Sequence, residues 1–171
     1  MEKLWDETLI GEWARGSDAA GELLARRYMP SIYRLCLRML GRAADAEDAT
    51  QETFINLCRR RSEATKVQDA GAWLATIAVN VCRNLRSRRR EFPSAEVAPP
   101  EAEQPPLGER GDSEAIAKAV EELPDDYRVP LLLKFQQGLS GPAIAARLGI
   151  SQEALRVRVH RGLNAIRSRF R

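Results

Sequence analysis

The stretch LSGPAIAARLGIS at residues 139–151 decides how the C-terminal part of the chain folds. Ser140 and Ser151 each stand where a serine caps a helix, because its side chain accepts a hydrogen bond from a first-turn backbone N–H. Gly149 supplies the turn between the two helices. The spacing therefore predicts a helix-turn-helix with helices near residues 141–148 and 151–169.

The second helix of this motif has an apolar side and a basic side. The apolar stripe, predicted to pack inward at about 100° per residue, is formed by Leu155, Val159, Leu163, Ile166 and Phe170. The opposite side and its flanks carry Arg156, Val157, Arg158, His160, Arg161 and Asn164. Residues 151–171 contain six arginines and one acid, Glu153. This bias is typical of a helix in the DNA major groove, and the alternative is a helical hairpin with a solvated basic face.

A proline-rich segment separates this motif from the rest of the chain. Residues 93–106 contain five of the nine prolines, interleaved with glutamates, and residues 93–112 carry a net charge of −4. Such a composition favours an extended, flexible linker over a packed element. The sequence therefore predicts an all-α protein of two small, independent helical domains, a bundle over residues 1–92 and a helix-turn-helix domain over residues 113–171.

Within the N-terminal block, apolar residues recur every three or four positions, and no alternation of period two is sustained. The pattern predicts helices near 4–15, 18–40, 46–60 and 70–90, with a loop from Arg61 to Gln68. Two further helices, near 113–122 and 125–136, precede the helix-turn-helix, and Pro130 is expected to bend the second of them.

The helix near 70–90 carries a second basic stripe. Trp73, Ile77 and Val81 are predicted to face the core. The residues placed on the opposite side are Thr76, Val79, Arg83, Arg86 and Arg90, with Asn80 at the edge. Nucleic-acid contact and a solvated helix end explain this stripe equally well.

On the helix near 46–60, Asp48 and Glu52 form a like-charged pair one turn apart. Solvation of an exposed helix face accounts for the pair from the residues alone, although such a pair also suits a basic partner.

Several classes of function are excluded by what the sequence lacks. Cys36, Cys58 and Cys82 are widely spaced without a CxxC pair, so we expect three reduced core thiols and neither disulfide nor zinc. His160 is the only histidine, and no nucleophile or phosphate-loop motif occurs. We predict no catalytic residue, metal or cofactor. With no signal peptide and no long apolar run, we expect a cytoplasmic protein without membrane insertion.

Three segments together resemble a bacterial RNA polymerase sigma factor of the small extracytoplasmic-function (ECF) group. These segments, which occur in the family's order with a linker of suitable length, are residues 45–54 (DAEDATQETF), 72–80 (AWLATIAVN) and 123–161. The resemblance implies a subunit without chemistry of its own that binds core RNA polymerase and directs it to promoter DNA. It also implies an anti-sigma protein as a regulator.

The resemblance also implies a role for each surface. Asp48, Gln51 and Glu52 would dock on the polymerase. Asn80 and the loop from Arg61 would take the bases of the minus-ten element, while Arg83, Arg86 and Arg90 hold phosphates. Contacts to the minus-thirty-five element would fall on Arg156, Val157, Arg158, His160 and Arg161.

The chain departs from the family pattern in three places that bear on its sequence preference. Val157 stands where the family usually has a small polar residue, and a valine contacts a thymine methyl but donates no hydrogen bond. Gly141-Pro142 and Gly162 also depart from the family pattern. The runner-up function is a stand-alone helix-turn-helix regulator, and a small helical enzyme is a third.

Overall fold

The structure is a computed structural model that describes residues 2–67, 69–91 and 111–170, and every regular element in these ranges is helical. The elements are α1 (Glu2–Ala14), α2 (Asp18–Leu40), α3 (Ala43–Arg59), a 3₁₀ helix (Arg61–Lys66), α4 (Ala70–Glu91), α5 (Gly111–Glu121), α6 (Asp125–Leu131), a π turn (Leu132–Gln136), α7 (Gly141–Leu148) and α8 (Gln152–Arg167). The predicted all-α fold is confirmed. Most of the predicted linker, residues 92–110, lies outside the described residues.

In the N-terminal half, α2, α3 and α4 pack against one another around small side chains. Ala46 and Ala49 of α3 and Ala75 and Ala78 of α4 are fully buried, and small side chains at helix contacts let the helix axes approach closely. Larger apolar residues, including Leu24, Ile32, Leu35 and Leu74, fill the remaining space. Trp73 is buried among them, which confirms its predicted core position.

α1 is fixed to this bundle by a polar contact at one end. The Tyr28 hydroxyl donates a hydrogen bond to Asp6 at 2.7 Å, and Arg27 forms an ion pair with the same carboxylate at 2.9 Å. Burial, together with the hydrogen bond to Asp6, raises the pKa of Tyr28. The hydroxyl therefore stays protonated and keeps donating across the physiological pH range.

The C-terminal half forms its core where α6, α7 and α8 meet. Its buried residues include Val129, Leu133, Ile144, Leu155 and Val159. Pro130 lies inside α6 and is followed by the π turn, in which the Gln137 N–H bonds to the Leu132 carbonyl at 3.1 Å. The segment around Pro130 thus stays α-helical, and the irregular turn comes after it, so the bend expected in the first turns of this helix stays a prediction.

Three details differ from the sequence-based expectations. Cys58 is exposed near the end of α3, so the prediction of three core thiols was wrong for this residue. Phe170 is 52% exposed because it follows the last turn of α8 and therefore leaves the apolar stripe. Part of the predicted loop from Arg61 is a short 3₁₀ helix. No helix among the described residues is long and apolar enough to cross a membrane.

Substitution of Gly21 tests the close approach of α1 and α2. A Cβ at this position would lie 2.5 Å from Cδ1 of Trp13, a buried ring with little room to move. We expect Gly21→Ala to lower the free energy of unfolding by about 1–3 kcal/mol, as overpacking does. Urea unfolding monitored by circular dichroism measures this change in the free energy of unfolding.

Gly11→Ala is the matched control, since a Cβ there meets only the flexible guanidinium of Arg15, at 3.6 Å. It should be neutral or stabilise by roughly 0.5–1 kcal/mol, because alanine is the better helix former. Equal effects at the two positions would show that Trp13 does not pack as described.

Candidate nucleic-acid and protein interfaces

The helix-turn-helix forms through the local interactions that the sequence predicts. The Ser140 hydroxyl accepts from the Ala143 N–H at 3.4 Å, and the Ser151 hydroxyl accepts from the Ala154 N–H at 3.1 Å. Gly149 ends α7 with φ of 64°, a left-handed conformation that glycine adopts without steric cost. Both helix starts and the turn are therefore specified by the residues at these positions.

We call the outward side of α8 the recognition face. Four of its predicted members, Arg156, Val157, His160 and Arg161, are exposed. The inward positions Leu155 and Val159 are buried, so the division of the helix into two sides is confirmed. The structure brings together, on one exposed surface, the side chains that the sequence predicts for duplex DNA.

Two residues of this face, Arg158 and His160, contact other side chains of the same chain. Arg158 forms an ion pair with Asp126 of α6 at 3.1 Å, and the ring of His160 hydrogen-bonds the Asn164 amide at 2.9 Å. Asp126 was not identified from the sequence, because the pair joins two helices that are far apart along the chain. In the free protein, Arg158 is therefore partly neutralised.

Gly162 allows α8 to pack closely against α6. A Cβ at this position would lie 2.9 Å from Cδ1 of Leu131 and 3.3 Å from Cβ of Tyr127. Because glycine has no side chain, the two helices approach closely here. An alanine at this position would require the neighbouring side chains to repack. This departure from the family pattern therefore has a packing reason.

The basic side of α4 is only partly exposed. Asn80 is exposed, Arg83 and Arg86 are half-buried, and the side chain of Arg90 lies outside the described side chains. Val79 is only 3% exposed, so its predicted place on the outward side was wrong. Arg86 pairs with Asp125 of α6, which the sequence could not show.

The exposed side of α4 is instead centred near Asn80. Asn84, Ser87 and Arg88 are exposed and follow Asn80 at helical spacing, so they lie on the same side. These three residues were not predicted from the sequence, because the outward side of the helix was centred on the arginines. The polar run that follows Asn80 was the available signal.

The 3₁₀ helix lies between α3 and α4 and is held by its first residue. Arg61 donates from Nε to the Trp13 carbonyl at 2.6 Å, pairs with Asp18 at 3.2 Å and lies over the Trp13 ring. Ser62, Glu63, Thr65 and Lys66 are exposed. The segment thus presents polar side chains from a fixed backbone, and Gln68, the last residue of the predicted loop, lies outside the described residues.

We call Asp48, Gln51 and Glu52 of α3 the acidic stripe. Asp48 and Gln51 are exposed and Glu52 is partly exposed, while Ala49, Thr53 and Leu57 turn toward the core. Within the described part of the chain, no side chain pairs with any member of the stripe. Exposed Ile55 and Cys58 extend this surface along the helix.

The described residues offer no cluster of three or more His, Cys, Asp or Glu side chains that could hold a metal ion.

Cys36 and Cys82 are buried side by side, and their mutual hydrogen bond together with burial raises the pKa of Cys82. A buried thiol with a raised pKa is a poor nucleophile.

Comparison with known families matches both halves of the chain. Residues 24–92 match the family described as Sigma-70 region 2, and residues 113–166 match Sigma-70, region 4. The two regions occur in this order and together cover well over half of the chain. Region 2 contains the acidic stripe and α4, and region 4 contains the recognition face.

Known proteins that are similar to most of the chain are named as RNA polymerase sigma factors. The chain is 30% identical over 156 residues to RNA polymerase sigma factor CarQ of Myxococcus xanthus, covering 89% of this chain and 90% of CarQ. It is 31% identical to ECF RNA polymerase sigma factor SigE of Mycolicibacterium smegmatis, covering 84% of this chain but 59% of SigE. The structure of sigma factor RpoE in complex with the anti-sigma factor NepR, from Bartonella quintana, has a similar fold, with a TM-score of 0.74, 23% identity and coverage of 86% and 94%.

Proposed function

The chain belongs to the sigma-70 family, in its extracytoplasmic-function group, and on this premise we propose that its two domains divide promoter recognition between the surfaces described above. The domains are residues 1–92 and 113–171, joined by a linker over 93–112. The protein binds core RNA polymerase and directs it to specific promoters, and it supplies no catalytic step of its own. It acts in the cytoplasm, where the polymerase works.

The observation that carries this proposal is the exposed recognition face on α8, a helix whose first turn is capped by Ser151. A capped helix with arginines on its outer side fits the major groove, where the side chains reach base edges and the flanks reach phosphates. Arg161 reads a base of the minus-thirty-five element, Arg156 and Arg158 hold its phosphates, and Val157 contacts a thymine methyl.

The minus-ten element is bound by the N-terminal domain. Asn80 and the exposed side chains of the 3₁₀ helix contact bases, and Arg83, Arg86 and Arg90 hold the backbone. The exposed positions Asn84 and Arg88 extend this surface.

The acidic stripe docks on core polymerase. Exposed Asp48 and partly exposed Glu52, with no partner in the described chain, suit a basic protein surface, because positive charge offsets the repulsion between the two carboxylates. An anti-sigma protein is the proposed regulator, in keeping with the RpoE–NepR complex among the structures of similar fold.

Run-off transcription with purified core polymerase tests the proposed function. Core enzyme with the chain should start transcription at discrete promoters, and core enzyme alone should not. Gel shift on duplex DNA with and without polymerase separates the runner-up, because a stand-alone regulator would bind its operator without polymerase. Such binding, with no polymerase-dependent transcription, would contradict the proposal.

Charge reversal of the acidic stripe tests docking. We expect Asp48→Lys with Glu52→Lys to keep the helical fold, as exposed substitutions usually do, and to weaken binding to core polymerase at least tenfold. Glu7→Lys with Glu12→Lys changes the net charge equally at exposed positions of α1 and should bind normally. Full affinity in a folded stripe variant would refute the assignment.

Substitution of two arginines of the recognition face should affect DNA binding in two different ways. Arg161→Ala should cost about 1–3 kcal/mol on the preferred upstream element and relax discrimination at one base position. Arg158→Ala should weaken all duplexes alike and lower the salt slope by about one. Holoenzyme binding to single-base promoter variants at several salt concentrations distinguishes them, and a uniform loss for Arg161→Ala would make it a phosphate contact.

A further inference from the structure

The single acidic residue of residues 151–171 lies on the recognition face. Glu153 is exposed in the first turn of α8. At 3.6 residues per turn it lies about 40° around the helix from Val157, whereas Arg156 and Arg158 each lie about 100° from Val157. The carboxylate is therefore closer to the middle of the face than either of these arginines. The face thus combines one acid with its basic side chains.

The local structure of α8 does not require this carboxylate. The Ser151 hydroxyl already accepts from the Ala154 N–H at 3.1 Å. Reciprocal capping needs an acid or amide three residues after the cap, and that position is Ala154. Within the described part of the chain, no side chain forms an ion pair or a hydrogen bond with Glu153. Its local role is limited to placing negative charge near a helix N-terminus, which needs no specific partner.

Glu153 borders the same open hollow as two residues proposed to contact bases. The hollow lies between the starts of α6 and α8, and its lining includes Glu153, Val157, Arg158, Arg161, Asp126 and Tyr127. Asp126 pairs with Arg158 at 3.1 Å, whereas no described side chain occupies the carboxylate of Glu153. A base edge that enters this hollow would therefore meet a carboxylate acceptor beside an apolar side chain and a guanidinium.

The chemistry of the major groove determines which base suits a carboxylate. The first residues of a recognition helix contact base edges there. Guanine and thymine present acceptor atoms, which repel a carboxylate, and adenine presents its N6 amino group beside the acceptor N7. Cytosine presents its N4 amino group with no acceptor on the same base. A carboxylate at the start of the helix therefore favours cytosine over the other three bases.

We propose that Glu153 reads a cytosine of the minus-thirty-five element by accepting a hydrogen bond from its N4 amino group. This inference rests on the proposed role of the recognition face. Repulsion between the carboxylate and the phosphates weakens binding to every sequence, whereas the hydrogen bond forms only with the correct base, so Glu153 acts through discrimination. Arg161 lies two turns further on, about 12 Å along the helix axis, and therefore reads a different base pair.

Holoenzyme binding to duplex DNA tests the assignment. The probe is a promoter duplex mapped by run-off transcription, in which each position of the upstream element is changed in turn to all four bases. Parent holoenzyme should favour cytosine by about five- to tenfold at one position. Glu153→Gln should move the preference at that position to adenine, because a glutamine amide accepts from N6 and donates to N7.

Two further variants separate base reading from charge. Glu153→Ala removes the acceptor, so the four bases at that position should bind within about twofold of one another. Glu122→Gln is the matched control, because it removes an exposed acid just after α5, where Arg169 is its partner, and changes the net charge equally. It should keep the cytosine preference. Formation of holoenzyme by each variant checks that the chain is folded.

Two results would overturn the proposal. One is a parent holoenzyme with no cytosine preference at any position of the upstream element. The other is a Glu153→Gln variant that changes the affinity for all duplexes by the same factor, since the carboxylate would then act by its charge alone.

Failure of the proposed function gives a different result, namely no polymerase-dependent start sites. The panel is then built on a duplex that the free, full-length chain selects from a random-sequence library. A change of preference from cytosine to adenine in Glu153→Gln would keep the reading by Glu153 and assign it to a stand-alone regulator. An unchanged preference there would overturn it.

Discussion

The close packing of α2, α3 and α4 around alanines determines which residues of the N-terminal half can act. With Ala46 and Ala49 of α3 fully buried, rotation of that helix would drive larger or charged side chains into the contact. The acidic stripe is therefore held outside by the core beneath it. Thr50 and Thr53 are buried without requiring partners on other helices, since each hydroxyl donates to the carbonyl four residues earlier, at 2.6 Å and 2.7 Å.

Local signals were sufficient to predict most of the fold from the sequence. The helix near 18–40 was predicted with its observed bounds, and Ser17 and Gly41 supply its start and stop. The helix-turn-helix was equally predictable, because its two serine caps and its glycine turn depend on interactions with residues nearby in the sequence. These residues are Ser140, Gly149 and Ser151. The recognition face followed from a single helix with one buried side, for which the apolar period is a sufficient guide.

Tertiary contacts explain what could not be predicted. α4 is covered on more than one side, so the position of its apolar stripe did not show that Val79 and half of Arg86 are also buried. Nor does a single sequence indicate which acid reaches which arginine across the fold. The pairs of Arg86 with Asp125, Arg89 with Asp45 and Arg158 with Asp126 each join helices that are separated along the chain.

These ion pairs have a common consequence for a protein that binds a polyanion. Two of them, those of Arg86 and Arg158, partly neutralise an arginine of a surface proposed for DNA, so these surfaces present less positive charge in the free chain than their arginines suggest. A phosphate oxygen can replace a carboxylate oxygen at the same guanidinium with little change in geometry, whereas a buried apolar contact has no such substitute in DNA. Polar contacts are therefore the kind that nucleic acid can displace, while the alanine-packed bundle and the capped helix-turn-helix keep their shape.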